Sequence, residues 1–155
     1  MTNDIDNMRK YANYKEQMGR LKKAISSRFY LEAIFIEYAI IEDRLESALR
    51  HGNRWNPKPG EFISINRKVN MVKKMAEQKK SMANRYFSPE LMDSILIWKE
   101  DRNKMIHALL KQAIHSEDLQ IITEKGQELV KILCSKTTSF NRQMDKMENT
   151  KKINI

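Results

Sequence analysis

The chain has 155 residues, 41% of them hydrophobic, and a formal net charge of +9, which together indicate one soluble domain rather than a disordered segment. The single Cys134 excludes an intramolecular disulfide and a cysteine-rich zinc site, and 4 glycines and 3 prolines are too few for a sandwich or barrel of many short strands. No apolar run approaches the roughly 20 residues that span a bilayer, and the chain opens on polar and acidic residues rather than a signal peptide. We therefore expect a cytoplasmic protein that does not bind a membrane.

The first half of the chain has the apolar spacing of two helices. Residues 4–25 repeat apolar side chains three and four positions apart, and Ser26-Ser27 is expected to kink or end this helix. Residues 28–50 are apolar on nearly every side, which is typical of a central helix covered by its neighbours. Gly52 is placed to end this second helix, at the start of a loop over residues 51–60.

The second half predicts three more helices. A third is expected over residues 65–86, and Ser88-Pro89-Glu90 has the serine cap, proline and acid that begin a fourth, expected to reach about Ile114. Ser116 begins a fifth helix in the same style, and residues 151–155 are expected to form a disordered tail. The sequence thus predicts an all-α bundle of four or five helices, forming a single domain over residues 1–150.

Most of the excess positive charge lies in the third predicted helix. Residues 65–87 carry seven basic side chains and one acidic side chain, which is two thirds of the net charge. Such a concentration is typical of a surface that binds a polyanion, nucleic acid first, although a lysine-rich helix face in contact with water has the same pattern. The candidate nucleic-acid-binding residues are Lys68, Lys73, Lys74, Lys79 and Lys80.

The fourth helix carries an arginine where an apolar side chain is expected. On a helical wheel, Arg102 falls within about 20° of Ile95 and of Leu109, in the middle of the apolar stripe. A charge in that position is costly unless it is paired or reaches water along its own side chain. The candidate acidic partners lie on the central helix and are Glu37, Glu42 and Asp43.

Arg102, Asn103 and His107 together offer phosphodiester chemistry. Asn103 and His107 are four positions apart and share a helix face. A histidine can move the proton of a ribose 2′-hydroxyl, and an arginine can hold the phosphate and its developing charge. The sequence has no HExxH motif and no cluster with metal-ligand spacing, so we expect neither a metal nor another cofactor.

The stretch Arg102-Asn103-Lys104-Met105-Ile106-His107 has the form R-x4-H with a polar residue after the arginine. In this it resembles the signature of HEPN domains, helical bundles found in toxin–antitoxin, abortive-infection and CRISPR-associated ribonucleases. The resemblance implies a metal-independent endoribonuclease acting on RNA as a homodimer, with an antitoxin as a further partner. It makes Arg102 and His107 catalytic and gives Asn103 an orienting role. One branch of the family has a tyrosine two residues after the histidine; Leu109 stands there in this chain, against that branch.

Other interpretations of the sequence stay open. Arg44 and His51 form a second match, R-x6-H, but His51 is expected to bind carbonyls at a helix end, and Leu45 follows the arginine. The alternatives to a ribonuclease are a HEPN-like module that binds nucleic acid or protein without catalysis, and an unrelated helical adaptor whose long fifth helix pairs with a partner.

Overall fold

The computed structural model describes residues 2–154, with side chains described from Asp4 onwards. Over these residues the chain forms helices and no strands, so the all-α prediction is confirmed. There are five α-helices and one short 3-10 helix: α1 (Thr2–Ser26), α2 (Tyr30–His51), α3 (Ile65–Glu77), the 3-10 helix (Met82–Arg85), α4 (Pro89–Ala108) and α5 (Ser116–Ile153).

Helix α2 is the central element and packs against α1, α3 and α5. It runs parallel to α5, because Thr123 Oγ1 lies 3.5 Å from the Tyr30 carbonyl near one end of α2 and Asn141 Nδ2 lies 3.0 Å from Ser47 Oγ near the other. Its inner face is fully buried, as predicted for a central helix. Its beginning is less covered than expected, since Phe29 and Phe35 are 61% and 56% exposed.

Gly52 follows the last residue of α2, as predicted, but its φ of −80° does not require a glycine; the left-handed residue of this turn is Asn53, at φ 56°. The contribution of Gly52 is space beside α3. A Cβ at this position would overlap the Met75 sulfur and lie 3.2 Å from the Ala48 carbonyl oxygen. The turn therefore lets the end of α3 pack directly against the end of α2.

Helix α3 is shorter than the sequence predicts. It ends at Glu77, because Gln78 takes an extended conformation, and the Ser81 hydroxyl accepts from the Ala83 N–H at 3.1 Å to begin the 3-10 helix. A serine that bonds its own neighbouring backbone competes with helix continuation. Ser88 then begins α4 as predicted, accepting from the Leu91 N–H at 3.2 Å.

Helix α4 is also shorter than predicted, and α5 is longer. Helix α4 ends at Ala108 and does not continue to Ile114. The N–H groups of Leu109 and Lys111 donate to carbonyls three positions back, Ile106 and Ala108, at 3.4 and 3.0 Å, which tightens the chain into turns. Helix α5 has 38 residues, a length of about 57 Å. It continues through residues 151–153 of the predicted disordered tail, and Ile155 lies outside the described residues.

Candidate functional site

Arg102 lies half-buried where α4 passes the exposed edge of α2. Its guanidinium carbon is 4.1 Å from the centre of the Tyr38 ring and 5.4 Å from that of Phe35. Both distances fall within the range of cation–π attraction. The sequence predicts that Arg102 lies in the apolar stripe of α4. In the structure, Arg102 is on the same side of α4 as the buried Ile95 and Trp98, and its guanidinium contacts the aromatic rings of α2.

The Arg102 guanidinium is held in place by a neighbour on its own helix. Its Nη1 donates to Asn103 Oδ1 at 2.8 Å, while its Nε is buried and has no hydrogen-bond partner among residues 4–154. Burial lowers the pKa of Arg102, and Tyr38 opposes that shift. An arginine remains charged even so. The charge of Arg102 is therefore partly shielded from water, and its guanidinium has N–H groups that are not hydrogen-bonded within the described residues.

The predicted acidic partner of Arg102 is wrong for all three candidates. Glu42 binds Lys68, Asp43 binds Arg44, and Glu37 has no hydrogen-bond partner within the described part of the chain. The aromatic rings of α2 take the place that a carboxylate was expected to fill, because Phe35 and Tyr38 are the side chains that face α4 there.

His107 lies exposed in the last turn of α4. The structure therefore puts Arg102 in contact with Asn103 but shows no hydrogen bond or ion pair for His107 within residues 4–154. A cavity of about 420 Å³ between the end of α4 and the start of α5 is lined by Lys104, Met105 and Ala108, and by none of the three predicted site residues. No hydrogen bond joins Arg102 and His107 among the described residues.

The five candidate lysines fall into two groups. Lys68 is 6% exposed and binds Glu42 and Glu46 at 3.0 and 3.3 Å, so its charge is neutralised inside the bundle. Lys73 binds Asp93 at 2.9 Å. The remaining three are exposed and have no acidic partner among residues 4–154: Lys74, Lys79 and Lys80.

The exposed lysines lie towards the beginning of α4, whereas Arg102 lies near its end. Lys79 and Lys80 occupy the turn that follows α3, and Lys73 binds Asp93 in the first turns of α4. Arg102 lies nine residues beyond Asp93 on that helix, a distance of about 14 Å along its axis. Tyr86 and Phe87, the aromatic residues nearest the basic segment in sequence, both pack edge-on against Phe140, and Phe87 is buried.

Sequence reasoning missed the unusual burial of Glu37 and Lys99. Glu37 is fully buried beside Gly126, and burial raises its pKa to about 9. Lys99 is 7% exposed and binds Asn66 Oδ1 at 2.8 Å and the Glu100 carboxylate at 2.5 Å. In the sequence, the one sign that these two side chains are buried is that apolar residues flank them, as Trp98 flanks Lys99.

Two further observations bear on function. Residues 4–154 contain no group of three or more His, Cys, Asp or Glu side chains that could hold a metal ion, and no helix in the described chain is long and apolar enough to cross a membrane. Comparisons with protein-family models, curated proteins and solved structures found no match to this chain.

Proposed function

We propose that this protein is a HEPN-like, metal-independent endoribonuclease of the toxin or phage-defence type, in which Arg102 binds the scissile phosphate of RNA. The observation that supports this most is the environment of Arg102. Its charge lies over the Tyr38 ring and is held by Asn103, and no carboxylate among residues 4–154 forms an ion pair with it. An arginine so placed has donors free for an incoming phosphate.

The proposed reaction uses the RNA itself as the nucleophile. The ribose 2′-oxygen forms a bond to the adjacent phosphorus while the bond from phosphorus to the 5′-oxygen breaks. His107 takes the 2′-hydroxyl proton or gives one to the leaving oxygen, and Arg102 stabilises the charge on the phosphate. The product is a 2′,3′-cyclic phosphate, and DNA is not cleaved because it lacks the hydroxyl.

A homodimer supplies the geometry that one protomer lacks. Arg102 and His107 are five positions apart on α4, which separates them by about 140° around the helix. A two-fold contact through this face would bring the Arg102 of one copy towards the His107 of the other. Light scattering at micromolar concentration tests this step: a monomer of 18.4 kDa would contradict it.

The decisive experiment is cleavage of single-stranded RNA in EDTA by the parent protein and by His107→Ala. We expect the variant to lose about two to four orders of magnitude in rate. The matched control is His115→Ala, another exposed histidine eight positions along the chain, which should cleave at the parent rate. An unchanged melting temperature shows that each variant is folded. Full activity of His107→Ala, or a requirement for a divalent ion, would refute the proposal.

The second candidate function is a HEPN-like nucleic-acid-binding module without catalysis. It is favoured by the exposed lysines near the end of α3 and in the turn after it, which have no acidic partner in the described part of the chain: Lys74, Lys79 and Lys80. Changing Lys74, Lys79 and Lys80 to Gln should weaken RNA binding and flatten its dependence on salt, because fewer counterions are released. Binding that depends on these lysines, without any cleavage, would favour this module over the ribonuclease.

A further inference from the structure

A groove at the surface between α4 and α5 holds two adjoining cavities. Their volumes are about 510 and 420 Å³, and Asp101 and Lys125 line both, so the two cavities form one groove. On α4 the groove extends from Glu90 to Ala108, a length of about 27 Å. A groove of this length holds about five turns of a helix.

Each of the two helices contributes a stripe of side chains with the period of packed helices. The stripe of α4 has members alternately four and three positions apart: Glu90, Ser94, Ile97, Asp101, Lys104 and Ala108. The stripe of α5 has members alternately three and four positions apart: Asp118, Ile121, Lys125, Glu128 and Ile132. A third helix packs along such stripes by placing its own side chains in the holes between theirs.

The groove is apolar along its floor and partly uncovered along its stripes. Trp98 and Leu129 are buried and form the floor. Three isoleucines of the stripes are exposed to solvent, by 63%, 52% and 38%: Ile97, Ile121 and Ile132. Exposed apolar side chains that cluster along one groove are typical of an interaction site. No other element covers them among the described residues.

The rim of the groove is acidic, although the protein as a whole is basic. Four carboxylates line the groove, and none of them forms an ion pair among residues 4–154: Glu90, Asp101, Asp118 and Glu128. Against these four acids stand Lys104 and Lys125, so the groove has a net charge of −2 in a chain of +9. The groove therefore attracts a basic partner that the rest of the surface repels.

The partner that matches the groove is a helix rather than an extended peptide. Extended peptides bind by pairing their backbone along the edge of a sheet, and the structure describes no strand in residues 2–154. An amphipathic helix instead lays its apolar face into a groove. We propose that the groove binds a basic amphipathic helix of a partner protein. Its apolar face packs against Ile97, Ile121 and Ile132, and its lysines or arginines bind the carboxylates of the rim.

The groove is separate from the proposed catalytic face. Asp101 and His107 are six positions apart on α4, which places them about 120° apart around the helix. Neither Arg102 nor His107 lines either cavity. This inference therefore does not depend on the ribonuclease proposed above, and His107→Ala should bind a basic helix as the parent protein does.

Fluorescence anisotropy with a labelled synthetic peptide tests the proposal. The probe is a helix of about 18 residues, with leucines alternately three and four positions apart, lysines beside them and alanine elsewhere. A peptide with glutamate in place of every lysine should bind at least about tenfold more weakly, because the acidic rim repels it. A peptide with the same residues in scrambled order has no apolar face and should lose at least about as much.

Two substitutions in the groove, each with a matched control, locate the binding site. Ile97→Ser should weaken peptide binding about tenfold through lost apolar burial. Phe62→Ser, at an 82% exposed residue outside the groove, should leave the affinity unchanged. Glu128→Lys should weaken binding about tenfold, whereas Glu16→Lys, on the exposed face of α1, should not. All four positions are exposed, so each variant should fold, and circular dichroism checks this.

Three results would overturn the proposal. They are the absence of binding at about 100 µM peptide, equal binding of the glutamate or scrambled peptide, and binding that survives both Ile97→Ser and Glu128→Lys. Sedimentation velocity tests whether a second copy of the chain occupies the groove instead. A parent protein that self-associates, and that both variants make monomeric, would identify that occupant and refute a partner helix.

Discussion

Glu37 should make this protein less stable as the pH rises, and Glu37→Gln should remove that dependence. The side chain is fully buried, and both its oxygens lack a hydrogen-bond partner among the described residues. Burial raises its pKa from 4.5 to about 9. The carboxyl is therefore neutral in the folded protein at pH 7, whereas in the unfolded chain it ionises above its ordinary pKa.

The sign and size of the effect follow from proton linkage. Between about pH 5 and 8, unfolding releases one proton from Glu37, so the free energy of unfolding falls by about 1.4 kcal/mol for each pH unit. Over that window the loss is about 4 kcal/mol, a large part of the roughly 5–15 kcal/mol that stabilises a domain. Above the folded pKa both states are ionised and the slope from this residue disappears.

The assay is urea unfolding at several values between pH 5.5 and 8.5, followed by circular dichroism. Glutamine has the same shape as glutamate but does not titrate. Its own unsatisfied hydrogen bonds change the free energy of unfolding of Glu37→Gln by the same amount at every pH, so they do not change the slope with pH. The free-energy difference between parent and variant should therefore change by about 1.4 kcal/mol per pH unit. Glu32→Gln, an exposed residue of the same helix, should keep the parent slope. Parallel curves for the parent and Glu37→Gln would show that the folded protein ionises Glu37, and would refute the reasoning.

Three other substitutions test the packing around the central helix. Gly126→Ala should lower the free energy of unfolding by about 1–3 kcal/mol, since its Cβ would overlap the Glu37 carboxylate and lie 2.9 Å from Trp98 Cε2. Thermal unfolding measures the loss of stability, and adding Glu37→Ala to the same chain should recover part of it. Lys68→Ala should lower the free energy of unfolding by about 1–3 kcal/mol, because Glu42 loses its cation while Glu46 keeps Arg50. Lys74→Ala, on the exposed face, should change stability by under about 0.5 kcal/mol in the same urea series. Trp98→Phe removes the 2.9 Å hydrogen bond to the Ile122 carbonyl and should lower stability by about 1–3 kcal/mol.

The helices that could be predicted are those whose ends carry local signals. Ser88 with Pro89 begins α4, because both act on the backbone of its first turn, and Gly52 follows the last residue of α2 as predicted. The ends of α3 and α4 are different. No glycine or proline marks Glu77 or Ala108, so both boundaries depend on turns that the apolar pattern does not register.

Individual side-chain partners were harder to predict than the helices. A wheel shows that Arg102 faces inward but not which residue of α2 it meets, because that depends on the axial position of α4 along the bundle. The same uncertainty hides Glu37, whose surroundings are completed by Gly126, 89 positions away in the chain. Apolar periodicity identifies which face of a helix is buried. Which side chains of two packed helices meet depends on the axial position of one helix relative to the other, and the periodicity does not determine that position.

The contrast between Lys68 and Arg102 bears most directly on function. Both are cations pressed against aromatic rings of neighbouring elements, Lys68 at 5.4 Å from the centre of the Trp55 ring and Arg102 at 4.1 Å from that of Tyr38. Lys68 has two glutamates within 3.3 Å, which satisfy its charge and give it a structural role. Among residues 4–154, the acceptor bound by Arg102 is the uncharged amide oxygen of Asn103. A partly buried cation without a counter-charge costs free energy in the unbound protein, and an anionic ligand that supplies the counter-charge recovers it. A phosphate bound at Arg102 should therefore stabilise the folded protein, and Arg102→Gln should abolish that gain in melting temperature while Lys104→Gln, an exposed neighbour, keeps it.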